Sequence, residues 1–296
     1  MLEILSFEIK IIWVKTLIKP DKLRFGPAGV PLSTPRPSTI TGIYQVRKLG
    51  LDAMEIEFVQ GVRMNLDTAK QAKEIALKEN VMLTAHGPYF INLLSPDIKK
   101  VEASIQRILD TARVTYHAGG YSIVFHAAYY QKLSKNEAYD KVREIMRNIV
   151  KTLKNEGIEI WIRPELTGKP TQFGDLDELI KLSQDVEMVL PCIDFAHLHA
   201  RYNGKYNTEE EIKNVLIKIE TELGREALDN MHIHISGINY TDKGERNHLN
   251  LEESDYNYHA LINVWQSFKI KGIVISESPN LEGDALLLQK LFYQKQ

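Results

Sequence analysis

Eight short apolar runs recur along the chain, each followed by a stretch whose apolar residues keep helical spacing. That alternation constrains the fold more than any other feature. The runs are KLRFG, AMEIEFV, VMLTA, YSIVF, IEIWIR, EMVLPCI, DNMHIHI and GIVIS, beginning at Lys22 and ending at Ser276. Segments such as LDTAKQAKEIALKEN, NEAYDKVREIMRNIVKTLKNEG and TEEEIKNVLIKIETELG predict the intervening amphipathic helices. Gly50, Gly120, Gly157 and Gly272 fall just before or near the runs, where helices end. Strands joined through helices pair in parallel, because the crossover returns the chain to the same end of the sheet. Eight such units predict an α/β fold, a single (β/α)8 barrel over residues 22–296. An open doubly wound sheet would not bring the ends of the third to eighth runs to one mouth. Residues 1–21, apolar and basic with acids interspersed and no small-residue cleavage site, are expected to form an N-terminal extension outside the barrel.

What stands at the ends of the runs points to chemistry. VMLTA leads into His86, YSIVF into His126, IEIWIRP into Glu165, MVLPCI into Asp194, DNM into His232 and GIVIS into Glu277. In a parallel barrel the carboxyl ends of the strands surround one mouth. Carboxylates and imidazoles gathered there carry a large desolvation cost unless positive charge sits between them, and both are ligands that zinc accepts. Asp194 and His197, three residues apart, share one side of a turn, with His199 the outlying member of that segment. His232 and His234 point to the same side of their strand. His232 is favoured as the ligand, and His234 as its neighbour or a substrate contact. A long polar loop after the seventh run adds Glu245 and His248. The candidate ligands are therefore His86, His126, Glu165, Asp194, His197, His232, Glu245, His248 and Glu277. They are too many for one zinc, and with a bridging carboxylate they suit two or three ions. Such clusters suit displacement at phosphorus. His117 and His259, which lie in helical segments, are assigned to structure.

Composition narrows the classes. A formal charge of −2 shows no basic surplus of the kind that marks many nucleic-acid binders. The single cysteine, Cys192, excludes an internal disulfide and reads as a small buried hydrophobe, in keeping with a cytoplasmic protein. No apolar run reaches the roughly 18 residues of a membrane span.

With these residues in view, the chain resembles the endonuclease IV family, zinc-dependent apurinic/apyrimidinic endonucleases on a (β/α)8 barrel, from about Arg24 to the end. The resemblance rests on HGPYFINL at 86–93, IDFAH at 193–197, the strand of His232 and ERNHLNL at 245–251. It implies a trinuclear zinc site, with manganese as an alternative ion. His86, His126 and Glu165 would hold one ion, and Glu165, bridging, with Asp194, His232 and Glu277 a second. His197, His248 and the acid near Glu245 would hold the third. It further implies hydrolysis of the phosphodiester 5′ to an abasic site in double-stranded DNA by a zinc-held hydroxide, with Glu165 as the central catalytic residue. A monomer is expected. Tyr89 takes the place of a DNA-contacting tyrosine, and Arg63, after the second run, is a candidate phosphate contact. Three motifs depart from the family: His126-Ala-Ala stands for His-Pro-Gly, His232-Ile-His234-Ile for His-Leu-Asn-Asp, and Glu245-Arg-Asn-His248 for Asp-Arg-His. The competing expectation is a divalent-metal-dependent sugar isomerase or epimerase on a related barrel, which needs fewer ligands.

Overall fold

The first and last strands of the chain lie side by side. In the computed structural model, which describes residues 17–294, β1 (Leu23–Pro27) pairs in parallel with β12 (Gly272–Ser276). β12 pairs in turn with β9 (Met231–Ile235), and β9 with β8 (Cys192–Asp194). A second parallel sheet runs β2 (Ala53–Glu57), β3 (Met82–His86), β4 (Ser122–Phe125), β6 (Trp161–Pro164). Two looser seams join the sheets. Asp52 N donates to Phe25 O at 3.1 Å and Gly29 N to Glu55 O at 3.0 Å on one side, while Ile162 N donates to Met188 O at 2.9 Å and Leu166 N to Cys192 O at 3.0 Å on the other. The result is the expected (β/α)8 barrel. At the first seam a Cβ on Gly26 would lie 1.8 Å from Ala53 O, so only glycine lets β1 approach β2 this closely.

Around the barrel run α1 (Thr39–Lys48), α2 (Leu66–Glu79), α3 (Ile98–His117), α4 (Lys135–Asn155), α5 (Leu176–Asp185), α6 (Phe195–Arg201) and α7 (Glu209–Leu223). The short α8 (Arg225–Leu228), then α9 (Tyr258–Phe268) and α10 (Glu282–Tyr293), complete the set. Their sequences explain their docking. In α4, Ser134 caps the helix in a reciprocal box with Glu137, and Ala138, Val142, Met146, Ile149 and Leu153 form the buried stripe. Each large aliphatic residue so buried contributes about 1.5–3 kcal/mol. Arg163 is buried towards the amino ends of the strands, donating to Tyr121 Oη at 2.8 Å, Asn230 O at 2.8 Å and Pro191 O at 3.1 Å.

Two expectations change. The long polar loop after the seventh strand is instead an antiparallel hairpin, β10 (Gly237–Thr241) with β11 (Gly244–Leu249), turned at Gly244, whose φ is +91°. The next helix begins later than ESDYNYHA suggested, because Asn257 caps it by accepting from Ala260 N. Small added strands, β5 (Ala128–Tyr129) and β7 (Gln172–Phe173), pair over the barrel rim. Of the expected extension, residues 1–16 lie outside the described residues. Leu17 is buried in the core, and Lys19 pairs with Glu226. Among the described residues, no helix is long and apolar enough to cross a membrane.

Candidate metal centre

Glu165, one residue past β6 and wholly buried, is the hub of the barrel mouth. Its Oε2 lies 3.3 Å from His86 Nε2 and 3.0 Å from His126 Nε2, on the two preceding strand ends. Its Oε1 lies 3.2 Å from His197 Nδ1 and 3.3 Å from His234 Nδ1. Asp194 ends β8 and caps α6 by accepting from His197 N at 2.6 Å, which sets His197 one turn above it. Glu277 follows β12, with Oε1 3.4 Å from His234 Nδ1. The hairpin then folds over the mouth and brings His248 Nε2 to 3.3 Å from His197 Nε2, and Glu245 Oε2 to 3.5 Å from the same atom.

The hydrogen bonds show which ring nitrogens are free. A carbonyl oxygen only accepts, so a ring nitrogen bonded to one must carry the proton. His86 Nδ1 meets Gly87 O at 2.7 Å, His197 Nδ1 meets Leu166 O at 3.0 Å, and His248 Nδ1 meets Glu277 O at 3.2 Å. In the neutral rings each Nε2 then presents a lone pair. That of His86 faces a carboxylate oxygen, and those of His197 and His248 face each other. Lone pairs opposed at this distance repel unless a metal ion or a shared proton lies between them. The spacing matches two ligands on one ion at about 2.0–2.1 Å. Asp194 Oδ2, buried, has no hydrogen-bond partner among the described residues. The donor set fits divalent ions. Ligand atoms lie within 4.8 Å of one another in the groups His86–His126–Glu165, Glu165–Asp194–His197–Glu277 and His197–His248–Glu277. Glu165 belongs to two of these, and so does Glu277.

Without ions, the carboxylates draw protons instead. Burial opposes charging His86, but the hydrogen bond to Glu165 and the charges of Glu57 and Glu165 prevail and push it up to about 10. His197 rises well above its usual value in the same way, against burial, through Asp194 and Glu245. Burial raises Glu277 to about 7, helped by Glu165 and Asp194.

His86, His126, Glu165, Asp194, His197, His248 and Glu277 converge, with Glu245 against His197. The order of the two strand histidines is reversed. His234 reaches the Glu165 cluster, while His232 lies one step deeper, 2.8 Å from Ser122 Oγ and 3.2 Å from Glu55 Oε2. The reason is the strand's length: β9 runs on to Ile235, so the register sets His234 beside Asp194 and His232 beside Cys192. Cys192, buried, does form a group with His232 and His234. His199 turns away, meeting Lys205 O at 2.8 Å and Asp255 Oδ1 at 3.3 Å. Tyr89 is exposed at the rim with its ring against His86, and Arg63 is exposed in the loop after β2. Two site carboxylates were missed, Glu55 and Glu57 of β2. The signal was present, because two acids at period two inside AMEIEFV point to the same side of the strand. Burial raises Glu57 to about 8, against the pull of His86.

The sequence profile of the xylose isomerase-like TIM barrel family matches residues 43–293. The chain belongs to the xylose isomerase-like TIM barrel family. An uncharacterized protein of Methanocaldococcus jannaschii is 44% identical to this xylose isomerase-like barrel over 270 residues, 91% of this chain and 97% of that one. A probable endonuclease 4 of Mycoplasma pneumoniae is 27% identical over 224 residues, 74% of this chain and 75% of its own. Among solved structures, endonuclease IV from Thermus thermophilus superposes with a TM-score of 0.71 at 16% identity, covering 92% of this chain and 100% of the other. A D-tagatose 3-epimerase-like protein does so at 0.67 and 19% identity, covering 92% and 96%. At such identities the superpositions establish the fold alone.

Proposed function

We propose that the protein is a divalent-metal-dependent phosphodiesterase that cleaves double-stranded DNA 5′ to abasic sites. The observation that carries this reading is the ligand surplus around Glu165. Three adjoining groups of side chains are linked in sequence, the first to the second through Glu165 and the second to the third through Glu277 and His197, where a single ion needs about four ligands. A bridged multi-ion centre is suited to in-line displacement at a phosphodiester. Bound there, zinc or manganese ions would supply Lewis-acid stabilisation of the developing charge and a nucleophile ionised near neutral pH. The relatives named endonuclease 4 support the same reading.

The chain's own residues supply the rest. Glu165 holds four imidazoles in register. Beside the hairpin, an open cleft of about 760 Å³ carries Lys169, Lys243 and Arg246 on its walls and adjoins Glu245, so cations are at hand for backbone phosphates. Tyr89 and Phe90, both exposed at the rim, offer aromatic faces to an extruded nucleotide.

One observation favours a second reading, a sugar isomerase or epimerase. Glu57 adds a carboxyl group to the mouth whose buried Oε1 has no partner among the described residues. Such an acceptor suits a polyhydroxylated substrate better than a phosphodiester. The deciding experiment incubates zinc-loaded protein with a labelled duplex carrying one abasic site and with an undamaged duplex. Selective incision, abolished by chelator and restored by zinc, is the expected result. Intact duplex together with turnover of a ketose panel would replace the phosphodiesterase by the epimerase.

A further inference from the structure

We propose that Glu55 is a positioning residue of the metal centre, fixing His234 with Nε2–H turned into the barrel and Nδ1 turned to Glu165 and Glu277. This rests on the reading of the Glu165 cluster as a metal site and adds a residue to it that does not belong to the expected ligand set.

Glu55 makes short contacts with other wholly buried groups. Glu55 Oε1 lies 2.9 Å from His234 Nε2, and Glu55 Oε2 lies 3.2 Å from His232 Nε2. Thr84 Oγ1 donates to Oε2 at 2.8 Å, and Ser122 Oγ lies 2.8 Å from His232 Nδ1. Glu55, Thr84, Ser122, His232 and His234 are each 0% exposed, so water cannot substitute for any partner. An ionised carboxylate only accepts, so an imidazole nitrogen that pairs with it carries the proton; both contacts are at ion-pair distance, without hydrogen-bond alignment. His232 Nδ1 is then left to accept from the Ser122 hydroxyl. His234 keeps one lone pair, on Nδ1, and that atom faces Glu165 Oε1 at 3.3 Å and Glu277 Oε1 at 3.4 Å. A lone pair aimed at two carboxylates is a ligand awaiting a cation.

Three other inward histidines are fixed by backbone carbonyls at the opposite ring nitrogen, Nδ1: His86 by Gly87, His197 by Leu166 and His248 by Glu277. His86 ends β3 and His197 lies beyond β8, and the carbonyl that His248 meets belongs to Glu277, just past β12. His234 lies within β9, flanked on both sides by parallel ladders with β8 and β12, whose carbonyls are committed to the sheet. A side-chain acceptor from across the barrel is the remaining route, and β2 supplies it. A carboxylate in that place also makes the imidazole a stronger ligand than a carbonyl would, and losing such a partner typically lowers metal affinity about 10–100-fold.

The test uses zinc competition titration, native mass spectrometry and ¹⁵N NMR of histidine-labelled full-length protein, comparing wild type with Glu55→Gln. The wild type is expected to show His234 protonated at Nε2 alone when zinc is bound. Glu55→Gln is expected to keep the wild-type circular dichroism while losing zinc affinity about 10–100-fold. Glu55→Asp, which keeps the charge on a shorter arm, is expected to fall between the two. The wild-type NMR needs no variant to fold, so a His234 ring protonated at Nδ1 would overturn the proposal by itself. Unchanged zinc affinity in Glu55→Gln would overturn it while leaving the metal centre standing. So would an additional ion that vanishes with Glu55, since Glu55 would then be a ligand. Wild-type protein that takes up no zinc would remove the metal centre and this proposal together.

Discussion

His197 and His248 face each other nitrogen to nitrogen, their Nε2 atoms 3.3 Å apart, while each Nδ1 is held by a backbone carbonyl. His248 comes from the hairpin and His197 from α6, so an ion between them would tie the hairpin to the barrel. His248→Ala is therefore expected to lower bound zinc by about one ion. Glu165 with His86 and His126 should remain loaded. Native mass spectrometry reads the count, and full occupancy in the variant would remove this pair from the centre.

Most of the barrel was legible because its signals are local. Several strands end where an apolar run meets a polar residue, as β3 does at His86 and β8 at Asp194, and many helices announce themselves by caps such as Ser134–Glu137. The hairpin was not legible, because Gly237–Thr241 and Gly244–Leu249 are mostly polar and its anchor, Glu245 N donating to Gly168 O, lies across the mouth. The choice between His232 and His234 was not legible for a related reason. Period two puts both on one face, and only the register with Asp194 says which one reaches the mouth. Glu55 and Glu57 were overlooked because acids in an apolar strand attract notice only when their partners on other strands are known.

Protons and metal ions compete for the same atoms, and the direction can be worked out. In the metal-free protein His86 is pushed up to about 10, so it is protonated at neutral pH and must release that proton to bind an ion. Glu277, raised to about 7, must also be ionised. Zinc affinity should therefore rise with pH, steeply below about 7, where both groups release protons, and more shallowly from there to about 10. Competition against a chromophoric chelator across this range gives the slope. A flat profile would mean that these groups are not ligands.

Removing the ions should weaken the fold, because Glu165, Asp194 and His197 are buried and would be left to satisfy one another. At a free zinc concentration of about 100 times Kd, binding contributes about 2.7 kcal/mol per site. For a domain of this size that corresponds to a fall in Tm on the order of 5 °C on chelation. Calorimetry with chelator, then with zinc restored, measures it. The same Tm in both states would show that the centre is stable with protons alone.

Glu165→Gln is the most informative single substitution, because shape is kept and only the charge and one acceptor are lost. The amide can turn one oxygen towards His86 and His126, or towards His197 and His234, but its nitrogen must then face the other pair as a donor. Ions shared across the carboxylate lose a ligand on one side whichever way it turns. Turnover is expected to fall more than about a hundredfold, with at least one ion lost. The circular dichroism should stay that of the wild type, since no cavity is made. Wild-type turnover with a full complement of ions would show that Glu165 does not bridge, and the multi-ion reading would lose its central residue.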